Sequence, residues 1–305
     1  MKTVFISGSE ERIPAWCRET IRNAGVELVC CACASPREVE EVSRDADLVW
    51  MIGRNPGLTA EVLAKLTKCR AIFRSGSGVD ALPVEAAQKL GVEVLNTPES
   101  ISESVAEHAV ALLFSLIRRI VHYDRSVRAG VWEEPNGMDW HISGRTLGLI
   151  GYGRIARRVE EMVAGFRMKV IHHDPFSPDS VGLEKLLKSS DYVSLHCPLT
   201  EETRDLLDAR KLGLMKKGAL LVNTSRGPVV DEAALVDALK RGALGGAALD
   251  VLCDEPPPKD HPLFALDNVI LTPHIAAFSA DFERNFWSCS AHKIIDAARR
   301  WEKRS

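Results

Sequence analysis

The sequence contains no hydrophobic run long enough to cross a bilayer. Its most apolar helical segment, Val105 to Ile117, is short and interrupted by Glu107 and His108, which argues against a membrane partner. An excess of positive charge is also missing. With 39 Lys and Arg against 42 Asp and Glu, the net charge is -3, which argues against a nucleic-acid partner. The one basic cluster, Arg299-Arg300-Trp301-Glu302-Lys303-Arg304, suits the negative end of a terminal helix. The opening Lys2-Thr3-Val4-Phe5-Ile6 is too weakly apolar for a secretory signal and reads as a first strand. Cysteine is not scarce, but the paired spacing of a zinc site is absent. Cys30-Cys31-Ala32-Cys33 is the only dense group, and on a strand Cys31 and Cys33 share one face while Cys30 points away. No metal is expected. Reduced, packed thiols and a cytoplasmic location are.

What is present is an alternation of short apolar runs with amphipathic stretches over 305 residues, enough for two domains. Val4-Phe5-Ile6, Glu27 to Cys30, Leu48 to Ile52, Ala71 to Phe73 and Val92 to Leu95 read as strands, with helices such as Ala60 to Leu66 and Pro83 to Leu90 between them. A second series of strands follows at 146–151, 168–173, 191–196, 219–223, 246–250 and 268–271. The order predicts α/β architecture with two parallel sheets. A long helix is predicted from a cap at Ser102 or Ser104 to about Ala129, then an irregular stretch from Trp132 to Ser143, and a C-terminal helix from about Ala280 to Lys303.

The second series opens on Thr146-Leu147-Gly148-Leu149-Ile150-Gly151-Tyr152-Gly153-Arg154-Ile155-Ala156, an apolar strand entering a glycine turn and then a helix. Gly151 permits the tight turn and Gly153 leaves room for a pyrophosphate beside the backbone. Arg154 and Ile155 begin the helix, whose free amides and dipole favour phosphate. Asp174 follows twenty-three residues after Gly151, near the spacing at which a second strand delivers a carboxylate to ribose hydroxyls. Together these features predict a dinucleotide site of the NAD type.

Three further strand ends carry chemistry. Arg226 follows Leu221-Val222-Asn223-Thr224-Ser225, Glu255 follows the strand ending at Asp250, and His274 follows Ile270-Leu271-Thr272-Pro273. In open parallel sheets ligands bind beyond the carboxyl ends of strands. A guanidinium holds a carboxylate at two points, an imidazole carries a hydroxyl proton, and a carboxylate orients the imidazole. Each has a plainer reading: a surface ion pair for Arg226, a solvated loop acid for Glu255, a core histidine for His274.

The chain resembles the D-isomer-specific 2-hydroxyacid dehydrogenases along nearly its whole length. The motifs are Arg74-Ser75-Gly76-Ser77-Gly78-Val79-Asp80, Val105-Ala106-Glu107-His108, Gly130-Val131-Trp132, the glycine loop, His196-Cys197-Pro198-Leu199-Thr200, Asn223 to Gly227, Leu249-Asp250-Val251 and Pro273-His274. The resemblance implies two Rossmann-like domains, flavodoxin-like for the substrate and NAD-binding for the other, with the active site in a cleft between them. The substrate domain would comprise 1–99 plus 280–305, the NAD-binding domain 100–279. It implies Arg226 as carboxylate anchor, His274 as acid/base and Glu255 as its partner. It further places His196, Pro198, Thr203 and Thr224 at the cofactor, Asp250 on the nicotinamide carboxamide, and the amides of Ser77 and Gly78 on the substrate. The implied reaction interconverts a 2-keto acid and a D-2-hydroxy acid in a homodimer that buries the long helix. Arg54, Asn55 and Arg74 are candidates for reading the substrate's tail, so glyoxylate, hydroxypyruvate, 3-phosphohydroxypyruvate and branched-chain keto acids all remain open.

Departures from the family pattern are Ala156 for the third glycine, Ile275-Ala276-Ala277-Phe278 after the histidine, and His173 before the ribose acid. Glu255 in place of a glutamine argues against formate oxidation. The lack of a further domain after residue 305 disfavours the long, feedback-regulated phosphoglycerate enzymes. The alternative is a regulatory protein like the C-terminal-binding corepressors, which share the fold and the Arg-Glu-His trio but act through partners.

Overall fold

The computed structural model describes residues 1–132 and 141–303. Much of the irregular stretch expected from Trp132 to Ser143, and Arg304 of the basic cluster, lie outside the described residues. The chain divides into two compact units, Met1–Ser102 with Phe278–Ser305, and Glu103–Ala277.

The first unit is built on a five-stranded parallel sheet of β1 (Lys2–Phe5), β2 (Glu27–Cys30), β3 (Leu48–Met51), β4 (Ala71–Arg74) and β5 (Glu93–Asn96), in the order β2-β1-β3-β4-β5. Period-two alternation divides the strand side chains between two faces. Phe5, Leu48, Trp50, Ala71 and Phe73 form one core with Trp287, Ile294 and Trp301 of the C-terminal helix Phe282–Glu302. Val4, Ile6, Val49, Met51 and Ile72 form the other, beneath helices Pro36–Ser43, Ala60–Lys65 and Val84–Leu90. Cys31 and Cys33 pack on the second face and Cys30 on the first, as the alternation predicted. Burial pushes the Cys33 thiol up to about 12, which leaves it protonated.

The second unit carries β6 (Thr146–Ile150), β7 (Lys169–His173), β8 (Tyr192–Leu195), β9 (Ala219–Asn223), β10 (Leu244–Leu249) and β11 (Val269–Leu271). All pairs are parallel and the order is β11-β10-β9-β8-β6-β7. Strand order reverses at β6, which has β7 on one side and β8 on the other, so the turn after β6 lies at the switch point. The six carboxyl ends share one edge. Gly148 sits in β6 where a Cβ would come within 2.4 Å of Ser190 Oγ and 2.5 Å of Leu186.

The expected long helix is two helices. Ser102–Ile117 buries Val105, Ala106, Ala109, Leu112, Leu113, Leu116 and Ile117, and then ends with the Arg119 N–H on the Leu116 carbonyl. Arg119 turns into the left-handed region at φ 50°, and Ile120–Arg128 follows with no buried residue. The apolar stripe that holds the first helix stops at Ile117, so nothing holds the second on the same line. Ser102 does not stand before the helix as a cap. It is the first helical residue, and its hydroxyl donates to the Pro98 carbonyl at 2.7 Å. No helix among the described residues is long and apolar enough to cross a membrane.

Candidate active site

Gly151 leaves β6 at φ 83°, and a Cβ there would meet the Cys197 backbone nitrogen at 2.5 Å. Only glycine satisfies both the conformation and the close approach. Gly153 then caps the helix Arg154–Val163 without any side-chain hydrogen bond, and a Cβ on it would meet nothing within 4 Å. The helix start is therefore accessible to a ligand, with Arg154 and Ile155 in its first turn. Asp174, directly after β7, accepts the Tyr152 N–H at 2.7 Å on Oδ2 and the Phe176 N–H at 2.8 Å on Oδ1. Its carboxylate thus braces the glycine turn, with lone pairs remaining for ribose hydroxyls.

Other predicted cofactor residues gather on the same sheet edge. His196 follows β8, pairs through Nε2 with Ser194 Oγ at 2.9 Å, and is pulled by burial down to about 4, so it is neutral at physiological pH. Thr203 Oγ1 donates to the Pro198 carbonyl at 2.7 Å and accepts the Thr200 N–H at 2.7 Å, closing that loop on itself. Thr224 Oγ1, after β9, is buried with no hydrogen-bond partner among the described residues. A buried hydroxyl in that condition is a reason to look for a ligand. The left-handed Gly151, the open Gly153, the braced Asp174 and the orphaned Thr224 hydroxyl together fit a dinucleotide.

The catalytic candidates occupy the next three strand ends. His274 Nδ1 lies 2.7 Å from Glu255 Oε2, and both side chains are substantially exposed. With Nδ1–H donating to the carboxylate, Nε2 is the nitrogen left to act on a substrate. His274 itself adopts φ 54°, a conformation that costs a non-glycine residue about 1–2 kcal/mol. Asp250 holds that turn. Its carbonyl accepts the His274 N–H at 2.8 Å, Oδ1 accepts the Ile275 N–H at 3.0 Å, and Oδ2 accepts the Ala276 N–H at 2.9 Å. Thr272 Oγ1 donates to Asp250 Oδ1 at 2.5 Å and pairs with His108 Nε2 at 3.1 Å. The buried Asp250 carboxylate shapes the His274 turn through three donors, two on Oδ1 and one on Oδ2, which leaves Oδ2 a lone pair for a further donor. Arg226 leaves β9 through a turn closed by Asn223, whose Nδ2 donates to the Arg226 carbonyl at 2.9 Å, and Arg226 Nη1 donates to the Ser225 carbonyl at 2.7 Å.

In the first unit, Ser77 and Gly78 lie in the turn after β4. Asn96 donates to the Ser77 carbonyl at 2.7 Å and Arg74 to the Gly78 carbonyl at 2.6 Å, which fixes the peptide planes. Arg74 also donates to the Gly53 carbonyl at 2.8 Å, and Arg54 approaches Asp80 at 3.9 Å. Asn55 is buried, and its amide donates to the Ile6 and Cys33 carbonyls and accepts the Gly57 N–H. Asn55 is thus a structural residue, not a reader of the substrate's tail. Sequence reasoning missed the Asp250–Thr272–His108 chain, and also the stack of Tyr152 on His172 at 3.6 Å with Arg157 over the tyrosine ring. No periodicity announces such contacts, because they join residues on different elements.

A model of the D-isomer specific 2-hydroxyacid dehydrogenase NAD binding domain matches residues 110–276. A glyoxylate reductase of Korarchaeum cryptofilum is 40% identical over 278 residues, covering 86% of this chain and 82% of that protein. A D-3-phosphoglycerate dehydrogenase of Methanocaldococcus jannaschii is 39% identical over 267 residues, which is 84% of this chain but only 51% of the relative. Among solved structures, an acyclic imino acid reductase in complex with NADPH and D-Arg superposes with a TM-score of 0.88 at 30% identity, covering 98% of both chains. The chain belongs to the D-isomer-specific 2-hydroxyacid dehydrogenases, and its residues 110–276 are that family's NAD-binding domain.

Proposed function

We propose that the protein reduces a 2-keto acid to the D-2-hydroxy acid, and catalyses the reverse, with His274 as acid/base. The observation that carries this reading is the 2.7 Å pair of His274 Nδ1 and Glu255 Oε2 at adjoining strand ends, on the same sheet edge as a turn that fits a dinucleotide. Arg226 anchors the substrate carboxylate and polarises its carbonyl through the planar fork of the guanidinium. His274, protonated, delivers a proton from Nε2 to the carbonyl oxygen as charge develops there, and Glu255 stabilises the imidazolium before that transfer. In oxidation the neutral imidazole takes the hydroxyl proton. The bound nicotinamide supplies or accepts the hydride.

Two tests bear on this reading. NADH oxidation against glyoxylate, hydroxypyruvate, 3-phosphohydroxypyruvate and branched-chain 2-keto acids should reveal one strong substrate, and no turnover with any of them would overturn it. Glu255→Gln removes the charge that favours the imidazolium. The alkaline limb of the reduction profile should then move to lower pH and the acidic limb of the oxidation profile should follow. Unmoved limbs in both directions would reduce Glu255 to a loop carboxylate.

NAD is expected to outperform NADP, because the Asp174 carboxylate suits ribose hydroxyls and repels a 2′-phosphate. A higher kcat/KM with NADPH would contradict this. A cytoplasmic homodimer is also proposed. Eight free cysteines support the reducing compartment. The helix Ile120–Arg128, with no buried residue but exposed Ile120 and Val127, supports the dimer.

A further inference from the structure

We propose that Glu232 and His261 are a positioning pair that holds the loop bearing Glu255, and so governs how firmly Glu255 supports His274. The inference rests on the acid/base reading above. Glu232 is the first residue of the helix Glu232–Lys240, but that helix is already capped by Asp231, which accepts the Ala234 N–H at 3.0 Å. The Glu232 carboxylate turns instead to the loop after β10. Oε2 accepts the Cys253 N–H at 3.2 Å, and Oε1 lies 3.0 Å from Nε2 of His261. His261 is buried, and its Nδ1 accepts the Leu263 N–H at 3.4 Å. A ring that accepts at Nδ1 carries its proton on Nε2, so it donates to Glu232.

The two amides in this loop are divided between two carboxylates. Cys253 N–H goes to Glu232, while the preceding Leu252 N–H goes to Glu255 Oε1 at 3.2 Å. The other oxygen of Glu255 holds His274. From a third side the loop lies on Gly227, where a Cβ would stand 2.1 Å from the carbonyl carbon and oxygen of Leu252. Gly227 directly follows Arg226, so the anchor and the acid/base partner are tied to one contact. The other charged or titratable groups facing the loop are Asp205, Asp254 and the Cys253 thiol, which burial and these carboxylates push up to about 11. None of them donates a hydrogen bond to Glu255 in place of Leu252.

Glutamine at 232 has one acceptor oxygen for two donors, so Glu232→Gln must release either the Cys253 amide or His261. His261→Leu removes the donor, whereas His261→Gln retains one at the ε position. Each variant is assayed for kcat/KM against pH in both directions, with thermal unfolding measured alongside. Reduction at pH 7 should fall about tenfold in Glu232→Gln and in His261→Leu, part of what acid/base chemistry contributes. Their alkaline limbs should move toward that of Glu255→Gln, and His261→Gln should stay near wild type. In a Glu255→Gln background, Glu232→Gln should add less than about twofold, because contacting residues in one network do not act independently. If Glu232→Gln does not fold, His261→Leu supplies the same reading. Limbs at wild-type positions in both variants, with the Glu255→Gln limb moved, overturn the positioning role alone. An unmoved limb in Glu255→Gln overturns the underlying acid/base reading and this proposal with it.

Discussion

Lysine at position 226 would keep the charge and lose the fork. A guanidinium can hold carboxylate and carbonyl oxygens at once, and an ammonium offers one point of contact. Arg226→Lys is therefore expected to lower kcat/KM by about two orders of magnitude. Near wild-type turnover with the best keto acid would remove Arg226 from the mechanism. His196 makes a different statement, about stability. Its imidazole is pulled from 6.5 down to about 4 in the fold, so between those values the unfolded chain binds a proton that the folded one refuses. The contribution of neutral His196 is whole above about pH 6.5 and erodes as pH falls toward 4, by at most about 3 kcal/mol. His196→Gln should lessen the loss of urea midpoint between pH 7 and pH 5, and an unchanged loss would count against the buried neutral ring. At this scale the sequence disclosed residues that follow apolar strands, namely Arg226, Glu255 and His274. It did not disclose the backbone-holding contacts of Asn55, Asp250 and Glu232, which depend on which loop each side chain faces.

Two glycines show how turns of similar composition have different tolerances. At Gly227 an added methyl would strike Leu252 backbone atoms that cannot swing aside. Gly227→Ala should cost about 1–3 kcal/mol of stability and disturb both neighbouring strand ends. At Gly153 there is open space at φ -81°, so alanine is tolerated by the fold but occupies the approach expected for pyrophosphate. Gly153→Ala should leave the melting temperature nearly unchanged and raise KM for NAD. Equal effects on melting and KM in both variants would refute that division. Strands were legible because doubly covered parallel strands are continuous apolar runs such as Leu48 to Met51. The break at Arg119 was not, since the residues on both sides are acceptable in a helix and only the end of the buried stripe separates them.

Across the whole molecule, the exposed apolar groups of the segment after the break set an expectation for assembly. Ile120, Val127, Val131 and Trp132 are all exposed, and isolated apolar side chains need no explanation but a run of them does. Sedimentation should show a dimer, and Ile120→Asp with Val127→Asp should shift it toward monomer. A wild-type monomer at micromolar concentration would refute the proposed assembly. The α/β class and the parallel sheets were readable from the alternation of strand and helix. The dependence of one end of the chain on the other came from the family resemblance, which set 280–305 with 1–99, and not from strand periodicity.

That dependence has a consequence for the order in which the protein acquires structure. The five-stranded sheet has Trp50 packed edge-on against Trp287 at 5.9 Å, and Trp50 Nε1 donates to Ser75, whose hydroxyl pairs with Ser290. A ribosome therefore releases the first hundred residues with one sheet face covered only by the helix Ala15–Asn23, and it stays so until the last helix emerges. The segment Glu103–Ala277, whose cores need nothing from that helix, can close earlier. Folding during synthesis should then run from the middle of the chain outward, with the amino-terminal sheet a client for chaperones in the interval. Limited proteolysis of a chain ending before Phe278 should cut within residues 1–102 and spare 146–277. Equal protection of both stretches would mean that the sheet closes without its final helix.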